Sequence, residues 1–234
     1  LFAHAVNNVK DLNKPLYDGL EIDFQLCDNN LVNTHHFYFG SPFKKTNWFS
    51  YKNYASLKPY QSQGLCYDLK TIVKLVKKDK LLIIDLKNWV LKLPGIIFGN
   101  GSAYLHNQKE FAHVFWDIMT EFKKQENIFI QSYDHDLIVE IIETAKARKI
   151  INNFSYGLIV RTNFQVESAI KCCQKYNIAF LAIRYKQLKK LGGKEKLLQK
   201  IKKPIKIYGW FDIDDFYIKN FKREKLINKA NYDG

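Results

Sequence analysis

The chain has 234 residues, of which 47% are hydrophobic and 15% aromatic. This is enough to bury the core of one large domain, and we expect a single domain over residues 1–234. Its net charge of +14 comes mostly from lysine, because the sequence has only four arginines. A specific nucleic-acid-binding protein is expected to use more arginine and to cluster its charge, so the composition argues against that class.

Two explanations of the positive charge stay open. A lysine-rich proteome accounts for it without a functional role, whereas a positive field would attract phosphate-bearing substrates or an anionic membrane surface. No apolar run approaches the roughly 18 residues of a membrane-spanning helix. The four cysteines have neither zinc-binding nor CxxC spacing, so we expect reduced thiols and a cytoplasmic location. We also expect a bacterial origin and a monomer.

The stretch from Leu20 to Leu26 alternates in character and predicts the second strand, after a first strand at 1–5 and a short helix at 9–18. Glu21 and Asp23 lie two residues apart, so both carboxylates leave the same face of this strand. Two acids on one face indicate a divalent-metal site, although an isolated pair of this kind is more often a polar strand edge. The residues that flank the pair decide between these readings.

A turn at residues 28–30 follows the second strand, and the chain then leads back out to His35 and His36. This reversal brings imidazoles close to the two carboxylates. Residues 37–65 are rich in aromatic residues, Ser, Asn, Gly and Pro, and they predict one long irregular insertion. Long loops in compact domains are usually functional, and we interpret this one as a cap over the fold rather than a lipid contact.

The remaining elements alternate strands with helices. A helix at 67–78 precedes a strand at 81–87, and a second irregular piece at 88–107 precedes a helix at 109–124. Four further strands are predicted at 128–132, 156–160, 178–183 and 205–210, followed by helices at 134–148, 163–175, 186–201 and 215–229.

Seven strands, each followed by a helix or crossover, imply a parallel sheet covered by helices. Because no glycine-rich fingerprint follows the first strand, a (β/α)8 TIM-type barrel is favoured over a doubly wound nucleotide fold. The eighth strand is missing, and residues 230–234 resemble the approach to it. We therefore expect the natural protein to continue beyond Gly234 by at least one strand, with a strand-sized gap beside the first strand.

Active sites of such barrels gather at the carboxyl ends of the strands, and polar residues fall there on several strands. Asp85 and Lys87 share a face of the third predicted strand, as Glu21 and Asp23 do on the second. Each residue alone has an ordinary structural explanation, but their convergence indicates a site. The set comprises His4, Glu21, Asp23, His35, His36, Asp85, Lys87, Gln131, Ser132, Arg161, Arg184 and Trp210.

Four segments carry a specific resemblance. FAHAVNN, GLEIDFQLCDNN, LVNTHH and LLIIDLK, in this order and spacing, resemble the phospholipase-C-like phosphodiesterase superfamily. The resemblance is strongest to the glycerophosphodiester phosphodiesterases and to the spider-venom-type phospholipases D. The opening is also similar to that of the menorin family. The likeness covers the chain in outline, with its motifs concentrated in the first 87 residues.

The resemblance implies metal-assisted cleavage of a phosphodiester, either a glycerophosphodiester or a phospholipid head group. Glu21, Asp23 and Asp85 would hold one Mg²⁺ or Ca²⁺ through oxygen ligands, and the ion would polarise the phosphoryl oxygens. The three carboxyl groups are then expected to lie within about 5 Å of a common centre. Loss of the ion would abolish activity more than it lowers stability.

The same resemblance assigns the remaining roles. His4 and His35 would flank the phosphorus, one as base or nucleophile and the other as the acid that protonates the leaving alcohol. Lys87 would stabilise negative charge on the phosphate, and Trp210 would form a wall of the pocket. Asn7 matches the asparagine of the venom-type HxVN motif, which makes it a substrate-binding candidate.

Two positions depart from the glycerophosphodiesterase pattern. Ala5 stands where those enzymes usually have arginine, and the pair His35-His36 stands where they have His-Asp, so the sequence leans towards the venom-type or menorin branch. Counting from the turn assigns the second catalytic histidine to His35, and counting from Asp23 assigns it to His36. We favour His35 and assign His36 to substrate binding. The alternative class is a barrel without catalysis that acts as a binding or accessory module.

Overall fold

The computed structural model describes residues 2–3, 12, 18–33, 54–64, 66–88, 106–122, 127–150 and 154–210. Within these ranges the strands are β1 (Phe2–Ala3), β2 (Gly19–Cys27), β3 (Asn30–Asn33), β4 (Leu81–Leu86), β5 (Ile128–Ser132), β6 (Ser155–Val160), β7 (Ile178–Arg184) and β8 (Lys206–Trp210). A 3-10 turn at Tyr54–Leu57 leads into the first of the helices, which are α1 (Lys58–Ser62), α2 (Leu69–Leu75), α3 (Gln108–Met119), α4 (His135–Ala147), α5 (Asn163–Lys175), α6 (Tyr185–Lys190) and α7 (Lys194–Ile201).

The chain divides into two compact units, residues 1–130 with 140–154 and residues 131–139 with 155–234. In the first unit the sheet order is β1-β2-β4-β5, and β3 pairs with β2. In the second unit the order is β6-β7-β8, and these strands are parallel. Parallel strands separated by helices confirm the predicted α/β class. The expectation of a single domain stays a prediction.

β2 is buried on both faces, as expected for a strand inside a parallel sheet. Leu20, Ile22 and Phe24 form one buried face, and Asp23 and Gln25 are also almost fully buried on the other. β2 pairs in parallel with β1 and with β4. The strand therefore carries polar groups into an interior where they require partners.

The turn after β2 is a tight one that opens a strand missed by the sequence pattern. Cys27 and Asn30 are paired across a two-residue turn, and β3 runs antiparallel to β2. Asp28 has a φ of +50°, a left-handed conformation that a short polar side chain tolerates. Leu31 and Val32 are fully buried, so they belong to the core.

The end of the predicted irregular insertion is helical, so the prediction of an irregular segment at 37–65 is wrong for residues 54–62. The backbone N of Tyr54 donates to Asp28 Oδ2 at 2.7 Å. Leu57 is fully buried against Cys27 and Val32 in a small cluster of the first unit. These contacts anchor the segment to the turn after β2 and to the core of the first unit. Residues 37–53 lie outside the described part.

β5 and α5 begin and end where predicted, and most other boundaries shift by a few residues. The helix predicted at 186–201 is two helices, α6 and α7, because Gly192 and Gly193 between them have φ values of +82° and +98°. These are conformations that glycine adopts without strain. The predicted helices at 9–18 and 215–229, the proposed gap beside the first strand and the continuation beyond Gly234 lie outside the described residues and stay predictions.

Two further properties of the described residues are the state of the cysteines and the length of the apolar helices. All four cysteines are buried free thiols, and burial raises the pKa of Cys27 to about 12 and that of Cys66 to about 11. These thiols therefore stay protonated and unreactive near neutral pH. No helix in these ranges is long and apolar enough to cross a bilayer.

Candidate metal centre

Strand register brings the predicted acidic residues together. β2 and β4 are parallel neighbours in which Asp23 lies opposite Asp85, so both side chains leave the same face of the sheet. Glu21 precedes Asp23 by two residues and leaves that face as well. The opposite face carries Ile22 and Ile84, which are fully buried. The apolar alternation thus fixes which way the acids point, since a slip of one residue would bury them in the apolar layer.

The three carboxylates form a compact cluster. One oxygen of each of Glu21, Asp23 and Asp85 lies within 4.8 Å of the others. Asp23 and Asp85 are each 1% exposed, and Glu21 is half-buried. Three carboxylates at this spacing cannot all remain ionised inside a protein without a nearby positive charge.

Lys87 supplies part of that positive charge. Its Nζ lies 2.8 Å from Asp23 Oδ1 and also contacts Asp85 Oδ2. The backbone N of Lys87 donates to Phe24 O at 2.8 Å, which continues the β2–β4 ladder by one residue and fixes where the lysine stem begins. The result is a buried ion-pair network of Asp23, Asp85 and Lys87, with the half-buried Glu21 beside it.

One acceptor in the cluster remains open to a ligand. Within the described ranges, Asp85 Oδ1 is buried and has no hydrogen-bond partner. A buried carboxylate oxygen without a donor is costly, and a metal ion is one of the groups that can satisfy it. Three carboxylates are the hard oxygen ligands that Mg²⁺ and Ca²⁺ prefer, so the residues present fit a divalent cation.

The pKa of Asp85 also indicates that the carboxylate cluster has too little positive charge. Burial raises the pKa of the Asp85 carboxyl above its ordinary value, Lys87 lowers it, and the neighbouring Asp23 and Glu21 raise it again. The net effect is a raised pKa, because one ammonium does not offset burial and two like charges together. A bound divalent cation would reverse this balance and favour the ionised form.

The sequence does not predict a pair of hydrogen bonds that lies next to Lys87, between Asn88 and the backbone of His106. Asn88 is buried, its Nδ2 donates to His106 O at 3.0 Å, and its Oδ1 accepts from His106 N at 3.2 Å. The paired bonds tie the end of β4 to the start of α3. Burial lowers the pKa of His106, while a hydrogen bond with the Leu26 backbone raises it. Both residues sit at the edges of a stretch without periodicity, so no sequence signal pairs them.

The other predicted site residues divide into two groups. His4, Asn7, His35 and His36 lie outside the described residues, so the choice between the two adjacent histidines stays a prediction. Trp210 is the last residue of β8, opposite Arg184 of β7, and the described structure of Trp210 is limited to its backbone.

Two predicted site residues at strand ends of the second unit take part in local turns. Ser132 Oγ accepts from the backbone N of Asp134 at 3.0 Å. The backbone N of Arg161 donates to Gln165 Oε1 at 2.9 Å. The hydroxyl and the arginine backbone therefore stabilise the turns that follow β5 and β6.

No family model matches the chain, and no curated protein matches its sequence. Solved structures do match it. A glycerophosphodiester phosphodiesterase from Thermotoga maritima is 18% identical with a TM-score of 0.66, covering 97% of this chain and 88% of its own. One from Parabacteroides distasonis is also 18% identical with a TM-score of 0.66, over 98% and 88%. A putative glycerophosphoryl diester phosphodiesterase from Silicibacter pomeroyi is 12% identical with a TM-score of 0.62, over 89% and 81%.

The chain has the fold of the glycerophosphodiester phosphodiesterases. This likeness confirms the predicted TIM-type barrel class. It also confirms, for the fold, the predicted resemblance to the phospholipase-C-like phosphodiesterase superfamily. Sequence identities of 12% to 18% carry the fold and not the chemistry. The chemistry has to be argued from the cluster on β2 and β4.

Proposed function

We propose that this chain is a metal-dependent phosphodiester hydrolase or phosphotransferase of the glycerophosphodiester phosphodiesterase type. Its substrate would be a glycerophosphodiester or a phospholipid head group. The observation that carries the proposal is the meeting of three carboxylates and Lys87 on two neighbouring strands of a fold shared with glycerophosphodiester phosphodiesterases. Fold likeness alone would leave the activity open, since one fold hosts many functions.

Glu21, Asp23 and Asp85 would hold one Mg²⁺ or Ca²⁺. When bound, the ion would polarise the phosphoryl oxygens as a Lewis acid. If the three oxygens are each 4.8 Å apart, a point equidistant from them lies about 2.8 Å from each, so they would close to roughly 4.5 Å to reach the calcium range of about 2.3–2.6 Å. Magnesium, at about 2.0–2.1 Å, would require the same oxygens to close to roughly 3.6 Å. Calcium therefore fits with the smaller movement.

The protein residues would do the rest of the chemistry. Lys87, at the rim of the carboxylate cluster, would stabilise negative charge on the phosphate as the leaving alcohol departs. His4 and His35 would flank the phosphorus as base or nucleophile and as acid, since an imidazole exchanges protons near neutral pH. Asn7, His36 and Trp210 would bind the substrate. All of these roles rest on the sequence resemblance, and the contacts of Lys87 with Asp23 and Asp85 support the role of Lys87 as well.

A second candidate function rests on a specific observation. Lys87 already contacts both Asp23 and Asp85, and a buried ion-pair network of this kind also occurs in proteins without catalysis. The alternative is therefore a barrel that retains the acids as structural residues and works as a binding or accessory module.

Hydrolysis of bis(4-nitrophenyl) phosphate, a generic phosphodiester, separates the two functions. We expect the EDTA-treated chain to be inactive and to regain turnover with Ca²⁺ or Mg²⁺. Asp85→Asn is expected to lower kcat/KM by roughly a hundredfold or more. The substitution removes a charged metal ligand and the carboxylate that is paired with Lys87. Asp79→Asn is the matched control, since Asp79 is an exposed aspartate on the turn before β4.

Metal binding measured without substrate completes the test. A calorimetric titration with Ca²⁺ is expected to give one site in the native chain and none in Asp85→Asn. Metal binding without any phosphodiester turnover would support the accessory module instead. A chain with neither metal binding nor turnover would refute the proposed centre. Glycerophosphocholine and phospholipid vesicles, compared as substrates, then distinguish a water-soluble from a lipid substrate.

A further inference from the structure

The positive charge of the chain is concentrated in one stretch of the second unit. Residues 155–210 contain thirteen lysines and arginines and two acidic residues, a net charge of +11 out of +14 for the whole chain. Residues 1–154 have a net charge of +3, and residues 211–234 are neutral. A lysine-rich proteome would raise the charge evenly along the chain, so it does not explain this distribution.

Part of this charge lies where β6 and β7 end. The two strands are parallel neighbours with Val160 opposite Ile183, so Arg161, just after β6, and Arg184, the last residue of β7, come at the same end of the two strands. Arg161 is exposed, and α6 begins directly after Arg184. The exposed basic residues of this helix, called the α6 lysines below, are Lys186, Lys189 and Lys190.

Phe164 lies three residues after Arg161 in the chain and has its side chain in solvent. It is 93% exposed and lies in the first turn of α5, which follows β6. Gln165 fixes that turn, because its Oε1 accepts from the backbone N of Arg161 at 2.9 Å and of Thr162 at 3.1 Å. Its Nε2 donates to Tyr133 O at 2.9 Å. These bonds order the backbone of the turn that carries Phe164.

Acidic side chains do little to offset this surface. The segment from Arg184 to Lys194 contains no acidic residue. Glu167 on α5 is paired with Lys171 at 2.8 Å. Two acids precede these helices in the described part of the second unit, Asp134, which is buried, and Asp136, which is exposed at the start of α4. The combination of uncompensated lysines and one exposed aromatic ring is a feature of protein surfaces that bind partners.

The chemistry of this surface fits an anionic lipid bilayer better than a nucleic acid. A phenylalanine can insert at the boundary between head groups and acyl chains while neighbouring lysines stay among anionic head groups. A nucleic-acid surface favours arginine forks and a series of aromatic rings on which bases stack. Here the exposed groups are three lysines, one arginine and one phenylalanine.

We propose that Phe164, Arg161 and the α6 lysines form a docking surface for an anionic lipid bilayer. Phe164 is the apolar anchor, and the basic residues supply the attraction. This proposal goes beyond the phosphodiesterase activity and does not depend on it, since it concerns binding to a surface and not turnover.

Vesicle co-sedimentation of the full 234-residue chain tests the proposal. We expect binding to vesicles of phosphatidylcholine mixed with phosphatidylglycerol, little binding to phosphatidylcholine alone, and weakening with added salt. Phe164→Ser is expected to weaken binding roughly tenfold, the change expected when one phenylalanine side chain no longer reaches an apolar phase. Phe164→Trp is expected to keep binding, with its added emission shifted to the blue on anionic vesicles.

Matched controls separate a defined surface from general attraction. Glutamine at all three α6 lysines is expected to weaken binding by roughly tenfold or more. Glutamine at three exposed lysines of the first unit, called the control lysines, makes the same change in charge and is expected to alter binding by less than about twofold. The control lysines are Lys74, Lys77 and Lys78. Leu75→Ser, at the other exposed large hydrophobic residue described, is the control for Phe164.

Three results would overturn the proposal. The first is equal binding to neutral and anionic vesicles, or to neither. The second is an equal loss of binding in the α6 and control triple variants, which would indicate attraction by net charge alone. The third is binding of a single-stranded oligonucleotide that depends on Phe164 while vesicle binding does not, which would assign the surface to nucleic acid.

Discussion

Two stretches of the chain, residues 1–154 and 155–210, place their charges in opposite ways. Residues 1–154 contain nineteen basic and sixteen acidic residues, and four charged groups of this stretch meet in a cluster on β2 and β4. Residues 155–210 contain thirteen basic and two acidic residues, and most of those basic side chains are exposed. The candidate centre thus comes from a region that is nearly balanced in charge, and the proposed docking surface comes from the region with the excess.

This difference shows that the net charge of the whole chain describes neither region. The cluster depends on strand register, which places Asp23 opposite Asp85 and leaves Lys87 one residue beyond the paired strand. The docking surface depends on side chains of helices and strand ends, which the hydrogen bonds between strands do not hold in place. Buried charges are few, paired and costly to disturb, whereas exposed charges are many and individually weak. The expected effects of substitution follow this order.

The largest effect on stability is expected at Lys87. Lys87→Met removes an ammonium that contacts Asp23 and Asp85 and leaves two buried carboxylates without it. Breaking a buried pair in this way costs about 3–5 kcal/mol in the metal-free protein. Added Ca²⁺ is expected to restore most of the loss, because a bound ion replaces the missing charge. Urea unfolding with EDTA and with Ca²⁺ measures both quantities.

Lys78→Met is the control for Lys87, since Lys78 is exposed and close in sequence. It is expected to change the free energy of unfolding by less than about 0.5 kcal/mol, with or without metal. If Lys87→Met is as stable as the native chain without metal, the ion pairs contribute little. If Ca²⁺ fails to stabilise the variant, the carboxylates do not bind the ion.

Part of the carboxylate cluster is predictable from the sequence, because its geometry follows from the positions of its residues along a strand. Side chains alternate strictly along a strand, so the two-residue spacing of Glu21 and Asp23 is enough to predict their shared face. Pairing with Asp85 required the fold, which the motif resemblance supplied. Asn88 and His106 could not be predicted, because their contact joins the two ends of an irregular stretch. Phe164 also carried no signal, since a single phenylalanine in the first turn of an amphipathic helix is usually buried.

A smaller loss of stability is expected at the interior of the second unit. A Cβ added to Gly157 of β6 would lie 2.1 Å from the ring of Phe180, a buried side chain of the neighbouring strand. Gly157→Ala is therefore expected to cost about 1–3 kcal/mol through overpacking. Adding Phe180→Leu to this variant is expected to recover part of the loss, although Phe180→Leu alone destabilises. Thermal unfolding of the three variants checks this, and additive losses would contradict it.

The pH dependence of stability gives a further contrast inside the second unit. His135 is buried, its Nε2 lies 3.0 Å from Ile159 O and its Nδ1 lies 3.1 Å from Ser168 Oγ. A carbonyl oxygen can only accept, so Nε2 carries the hydrogen and Nδ1 accepts from the hydroxyl. Burial lowers the pKa of His135, while the hydrogen bond with Ile159 and the charge of Asp136 raise it. The neutral form is therefore the native one.

A lowered native pKa fixes the sign of the effect. The unfolded chain takes up a proton near about pH 6.5, before the native imidazole does. The stability that depends on neutral His135 is present above that pH and is lost as the pH falls through the native pKa. His135→Gln is expected to flatten this part of the profile. His113→Gln, on α3 of the first unit, is the control, and equal flattening in both variants would contradict the assignment.

The smallest effect on the free energy of unfolding is expected at the docking surface, where substitution is expected to stabilise the protein rather than destabilise it. Like charges three or four residues apart on a helix repel each other, and the α6 lysines lie in a stretch with a net charge of +11. Glutamine at all three is therefore expected to raise the free energy of unfolding, by less than about 0.5 kcal/mol at low ionic strength. Salt is expected to remove the gain, because screening removes the repulsion. The same change at the control lysines, in the stretch with the more balanced charge, is expected to give no gain. Destabilisation by the α6 variant that persists in high salt would mean that these lysines pack or pair in the folded protein, and a loss of vesicle binding in that variant could then no longer be assigned to charge alone.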